Sequence, residues 1–269
     1  TIYAFFESYN GEEPVPFWTL AFKPFTFFMN GYWYPNATRF IPNTIHEFPL
    51  YSFVVSDLHG HVLDIPFVLF ILAFGYALLL EKTISIYHII LASLIVAIMY
   101  MTNAWDGAIY LMLLGLIIVC STFFTQKISR KKQTLKQLFT MFISMIQNSL
   151  PKILLLAIGF ILFTLPFNMN FEPFVSGIGV LCTPSFLTNI GSFGPFLFEA
   201  NHCQRSPIYM LFVLYGFFYF FVFVGAVALY KKPSLLRHKE FAFTTVLVAL
   251  STLLIIIPEI IYVKDIYPD

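Results

Sequence analysis

Long apolar stretches separated by short polar ones set the pattern of this chain. Six of them approach spanning length, at about 63–80, 84–101, 105–124, 151–167, 208–230 and 241–258. A helix needs about 20 apolar residues to cross about 30 Å of hydrocarbon, so each stretch predicts one transmembrane helix. Between them the pattern changes. In the linker 125–150, Leu135, Leu138, Phe139, Phe142 and Ile143 recur at helical spacing beside Lys131, Lys132 and Lys136. That spacing predicts an amphipathic helix lying on a membrane surface. Segment 168–207 carries Pro173, Gly177, Gly179, Pro184 and Gly191 and reads as a loop packed over the helices. Residues 1–62 are dense in aromatics and proline, as in Phe17-Trp18 and Tyr32-Trp33-Tyr34-Pro35. A disordered tail lacks aromatics, so these residues predict an interfacial layer of short helices and turns.

Composition removes the soluble alternative. With 59% hydrophobic residues, 34 Phe and 11% charged residues, a polar exterior cannot be assembled around a globule of this size. The fold class expected is an all-α integral membrane protein with about six transmembrane helices. Its parts are a segment 1–62, a transmembrane region 63–258, and the start of a further segment at 259–269. The chain opens on Thr1, has no basic leader and stops after Tyr267-Pro268-Asp269, so it reads as an excerpt of a longer protein.

Charge gives the helices a direction. Placing Glu81-Lys82, 125–152 and 231–240 on one face collects 11 of the 15 Lys and Arg there, which marks that face as cytoplasmic. The same alternation puts 12 of the 14 carboxylates on the outer side, all but Glu81 and Glu240, with Asp64 at the outer end of the first span. For Glu7, Glu12, Glu13 and Glu199 this follows simply from avoidance of the anionic inner leaflet. The predicted localisation is the cell membrane, multi-pass, with the polar motifs extracytoplasmic. Cys120 lies in a span, whereas Cys182 and Cys203 share the outer loop, where an oxidising compartment permits a disulfide. Asn36-Ala37-Thr38 matches a glycosylation acceptor.

Candidate chemistry centres on Ser56-Asp57-Leu58-His59-Gly60-His61. Spacing of two turns Asp57, His59 and His61 to one side of an extended segment; in a helix Asp57 and His61 share a face. Either geometry offers at least two ligands to a cation. A carboxylate with two imidazoles suits Zn, Mn or Fe, while Mg or Ca would leave the histidines as hydrogen-bonding partners. The plainer reading is that both histidines are interfacial residues satisfied by headgroups or carboxylates. Thr102-Asn103-Ala104-Trp105-Asp106 sits at the outer junction of the second and third spans, where Asn103 or Asp106 also suits a helix cap. Arg39 and Glu47 precede the cluster. Glu259 follows Pro258 at a helix C-terminus, where the dipole disfavours a carboxylate. His88 and Glu172 read as structural.

Together these blocks resemble a known family. Trp33-Tyr34-Pro35-Asn36-Ala37-Thr38-Arg39, then Ile45-His46-Glu47-Phe48-Pro49-Leu50-Tyr51-Ser52-Phe53, then Ser56 to His61 and Thr102 to Asp106, look like the YYY domain family of prokaryotic multi-pass membrane proteins. Glu259 to Asp265 fits as well. Gly60 and Ala104 stand where that pattern carries proline, and both departures keep the polar side chains. The family is similar, at a distance, to the GT-C glycosyltransferases, which take sugar from polyprenyl-phosphate carriers with carboxylates on extracytoplasmic loops.

The resemblance implies a GT-C-like fold and sugar transfer to a glycan or other acceptor. It implies Asp57, Glu47 and Glu259 as catalytic residues. Arg39, Asn103, Trp105, Asp106 and Asp265 would contact substrate, and Asp57, His59 and His61 would hold a divalent metal. The expected partners are a lipid-linked sugar donor and membrane lipids, with no nucleic acid. A transporter or assembly component, and a metal-dependent hydrolase of lipid or glycan, stay open. The spans carry almost no ionisable groups at mid-membrane depth, which weighs against translocation.

Overall fold

The computed structural model describes residues 41, 44, 52, 53, 56, 58–125, 135–172, 175–232, 234 and 238–265. The chain divides into two compact units, one of residues 58–172 and 232–253, the other of 1–57, 173–231 and 254–269. The first, the helical unit, contains α1 (Gly60–Leu80), α2 (Ile86–Thr102), α3 (Ala104–Thr125), α4 (Leu135–Asn168) and most of α7 (Lys239–Ile256). The second, mixed unit contains β1 (Val175–Val180), α5 (Ser185–Thr188), β2 (Ser192–Phe193), β3 (Phe196–Leu197), α6 (Ile208–Lys231) and β4 (Ile261–Asp265). Among the described residues, five helices are long and apolar enough to cross a membrane: α1, α3, α4 from Phe139, α6, and α7 with its following turn. The apolar α2, at 17 residues, occupies the stretch expected for a sixth span and is shorter than the others.

Sequence pattern and structure differ at α4. Residues 135–150 of the expected surface linker and the expected fourth span form one continuous helix of 34 residues with Pro151 inside it. A proline removes one backbone hydrogen bond but need not end a helix whose neighbouring turns are intact. Just before it, Asn148 Nδ2 donates to the Ser144 carbonyl at 2.8 Å and Ser149 Oγ to the Met145 carbonyl at 2.8 Å.

Helix α2 lies against α1, α3 and α4. Its Ile89, Ile95, Val96 and Met99 are buried with Ile71 of α1, Leu113, Leu114 and Ile117 of α3, and Leu156 of α4. Lipid tails are as apolar as these side chains, so helices associate in a membrane through close packing and interhelical hydrogen bonds. Both are present. A Cβ on Gly107 of α3 would lie 2.7 Å from the Tyr100 Cα of α2, and one on Gly159 of α4 would lie 2.5 Å from Ser93 Oγ of α2. Ser93 Oγ donates to the Ile89 carbonyl at 2.8 Å and across to the Leu156 carbonyl at 3.2 Å. Tyr100 Oη donates to Asn168 Oδ1 at 3.0 Å, again joining α2 to α4. At the opposite end Ser85 caps α2 reciprocally with His88, and Lys239 Nζ donates to the Leu80 carbonyl at 3.0 Å, placing a cation at the negative end of α1.

The mixed unit corrects the all-α expectation. Segment 168–207 contributes three strands to a four-stranded sheet, in the order β2-β3-β1-β4. Strand β1 pairs parallel with β3 and antiparallel with β4, where Gly179 faces Tyr262. A Cβ on Gly179 would collide with the Tyr262 ring, so the glycine is what lets the ring lie across the strand pair. Cys182 and Cys203 form a disulfide. In α6 the described burial is confined to Met210, packed near Ile41, while Phe217, Phe218, Phe220, Phe221 and Phe223 are exposed. Such a surface belongs in lipid rather than water.

The close approach at Gly107 is testable by thermal unfolding in detergent. Gly107→Ala is expected to destabilise the protein by about 1–3 kcal/mol, because the Tyr100 backbone must move. Gly115→Ala on the same helix meets nothing within 4 Å and is expected to gain up to about 1 kcal/mol of helix propensity. Equal unfolding temperatures for the two variants would show that the α2–α3 approach does not limit packing.

Candidate functional site

The N-terminal ends of α1 and α3 and the C-terminal end of α2 meet in the helical unit. A Cβ on Gly60 would lie 2.7 Å from the Thr102 carbonyl oxygen, so glycine permits the contact between the start of α1 and the end of α2. His59 is the extended residue before α1, and its carbonyl accepts from Val62 N at 2.9 Å and Leu63 N at 3.2 Å. His61 follows in the first turn. The two imidazoles lie edge to face, with ring centroids 5.7 Å apart.

One turn into α1 stands Asp64. Its relative exposure is 0%, and its carboxyl group meets that of Asp106, with no other hydrogen-bond partner among the described residues. Asp106 occupies the first turn of α3, where the helix dipole favours an anion. Its Oδ2 accepts from Asn103 Nδ2 at 2.9 Å, and the Asn103 carbonyl accepts from Asp106 N at 3.1 Å and Gly107 N at 3.3 Å. Asn103 therefore precedes the helix as expected of a cap, but its side chain orients Asp106 instead of taking a backbone N–H. Tyr110, one turn further along α3, lies in the field of both carboxylates. Trp105 is 58% exposed.

Of the predicted site residues, the structure thus brings together His59 with His61 and Asn103 with Asp106, all in the helical unit. Asp57, Glu47 and Arg39 lie outside the described residues. Among the described residues no group of three or more His, Cys, Asp or Glu side chains is arranged to hold a metal ion. Glu259 and Asp265 belong to the mixed unit. Glu259 Oε2 accepts from the Ser206 backbone N–H at 2.8 Å, which ties the turn after α7 to the residues leading into α6. Asp265 ends β4, opposite Val175.

Sequence reasoning passed over two acidic residues. Asp64 was visible only as a carboxylate inside an apolar run, a placement that is costly and therefore informative. Glu199 was assigned to leaflet avoidance, yet it accepts hydrogen bonds from Lys264 and Tyr262 of β4. His202 stacks on the Tyr262 ring, with centroids 5.2 Å apart, and its Nε2 lies 3.7 Å from Glu199 Oε2. The hydrogen bonds from Lys264 and Tyr262 hold the Glu199 carboxyl below its ordinary value of 4.5. A depressed carboxyl stabilises the fold above its unfolded value and loses that contribution as pH falls through the folded one. The mixed unit is accordingly expected to open as pH drops below about 4.5, a loss that Glu199→Gln should abolish. Hydrogen exchange of β1 and β4 between pH 3 and 7 measures it, and an identical pH response in the variant would remove Glu199 as the cause.

The chain was compared with known proteins. No curated protein and no solved structure matches it. A family model described as "Uncharacterized membrane protein (DUF2298)" matches residues 2–269. A membrane family is what the apolar helices require, and the expected kinship with GT-C glycosyltransferases is not among the matches. With nearly its whole length covered, the chain belongs to the DUF2298 family of membrane proteins.

Proposed function

We propose that this protein is an integral-membrane glycosyltransferase that takes a sugar from a polyprenyl-phosphate-type donor at the extracytoplasmic face. The observation that carries the reading is the gathering of polar chemistry at one end of three apolar helices. His59, His61, Asp64, Asn103 and Asp106 stand where α1, α2 and α3 meet, and Asp57 immediately precedes them in sequence. Transfer to a hydroxyl needs a base for the acceptor proton and positive charge for the departing phosphate. In this reading Asp57 or Glu47 accepts the proton, and Arg39 pairs with the phosphate. Asp106, oriented by Asn103, accepts hydrogen bonds from sugar hydroxyls, and exposed Trp105 offers a ring face for a sugar or the lipid chain. Glu259 and Asp265 are carried into this reading by the family resemblance alone.

In this reading a divalent cation suits the residue types, with the two neighbouring imidazoles of His59 and His61 and, from its place in the sequence, Asp57 as candidate ligands. Bound there, it would supply positive charge to the leaving phosphate. The aromatic segment 1–62 supplies an interfacial surface for a lipid-linked donor and an acceptor glycan. Basic linkers facing the cytoplasm would place this end of the helices outside the cell membrane.

Membranes carrying the protein would be assayed for consumption of radiolabelled polyprenyl-phosphate sugars. Asp57→Asn is expected to lower transfer by at least about 100-fold, as for loss of a general base, with His61→Ala weaker but clearly impaired. Full transfer by Asp57→Asn would overturn the assigned role, and absence of consumption by the unaltered protein across donors would overturn the reading itself.

A further inference from the structure

We infer that Asp64 and Asp106 form the core of a binding site for a hard divalent cation, of the calcium, magnesium or manganese class, at the junction of α1, α2 and α3. The inference concerns the two carboxylates rather than the histidine pair and does not rest on the transferase reading. Asp64 is fully enclosed, and among the described residues its oxygens meet no hydrogen-bond partner other than the carboxyl group of Asp106, which it faces. A buried charge without a partner is among the costliest arrangements a protein can hold, and two facing carboxylates compound it. The groups around them do not relieve it. Asn103 gives its amide N–H to Asp106, and Tyr110 brings a phenol rather than a cation. Two negative charges are neutralised by one doubly charged ion.

The donor chemistry selects the class of ion. Asp64 and Asp106 offer only oxygen, and oxygen sets suit hard cations rather than zinc or copper. The approach of α1 to α2 at Gly60 and of α3 to α2 at Gly107 sets the carboxylates on adjoining helix ends. Such an ion would cross-link α1 to α3 and contribute its binding free energy to the fold.

The test uses the full chain, purified in detergent, stripped with chelator and titrated with Mn2+ by calorimetry and electron paramagnetic resonance. Saturable Mn2+ binding is expected at this site, beside any ion held by the histidines, with at least a tenfold loss of its affinity in Asp64→Asn and in Asp106→Asn. His59→Ala with His61→Ala should keep this binding. Thermal unfolding separates binding from misfolding. Stripped Asp64→Asn should unfold at a higher temperature than the stripped unaltered protein, having lost an uncompensated buried charge, and should gain nothing from Mn2+ or Ca2+. Absence of saturable binding, binding untouched by Asp64→Asn, or binding lost only in the histidine variant would overturn the site. Stabilisation by lowered pH with no response to any divalent ion would also overturn it, showing a shared proton instead. Mn2+ binding at Asp64 in a protein that transfers no sugar would sustain the site and reject only the transferase reading.

Discussion

Close approach of α2 to its neighbours is the constraint on which the helical unit depends. In hydrocarbon, apolar side chains gain little by leaving lipid for one another, so specific association must come from backbone proximity, dispersion and interhelical hydrogen bonds. Gly60, Gly107 and Gly159 let Thr102, Tyr100 and Ser93 of α2 come nearer than any larger residue would allow. The Ser93 hydroxyl then reaches the Leu156 carbonyl, and Tyr100 reaches Asn168. Packing at these few small residues determines where α1 and α3 begin relative to the end of α2. Everything polar in the helical unit inherits its position from that geometry.

The cost of polar groups near a membrane makes their grouping meaningful. Asp106 gains from the dipole of α3 and from Asn103, so its placement has a local explanation. Asp64 has none: it is enclosed and confronts another acid. A helix would be more stable with an apolar residue there, and local cost without local compensation is the pattern functional groups leave in a fold. The nearby histidines add nitrogen chemistry to the same helix terminus without completing a ligand set among the described residues.

A different logic governs the mixed unit. Its sheet draws β1, β2 and β3 from one segment and β4 from a segment beyond two long helices. The disulfide between Cys182 and Cys203, the hydrogen bonds of Glu199 with Lys264 and Tyr262, and the bond from Ser206 to Glu259 all restrain these pieces. Short strands of two to six residues have little stability of their own, so covalent and charge-assisted links carry much of the order.

The sequence by itself determined the membrane class, the positions of all the apolar helices but the fourth within a few residues, and the blocks where polar chemistry concentrates. These are local properties, set by hydrophobic length and by the energetic penalty of charge in lipid. It also marked the block Thr102 to Asp106, where Asn103 or Asp106 suited a helix cap. Only the tertiary structure decided that 135–168 is one helix, since a proline lowers helix stability without dictating a break. It alone paired Val175–Val180 with Ile261–Asp265, because strand partners far apart in sequence leave no local trace. Likewise Asp64 was a lone acid in an apolar run until folding set it against Asp106. What a carboxylate faces is a matter of which helices meet, and small residues scattered along the chain decide that.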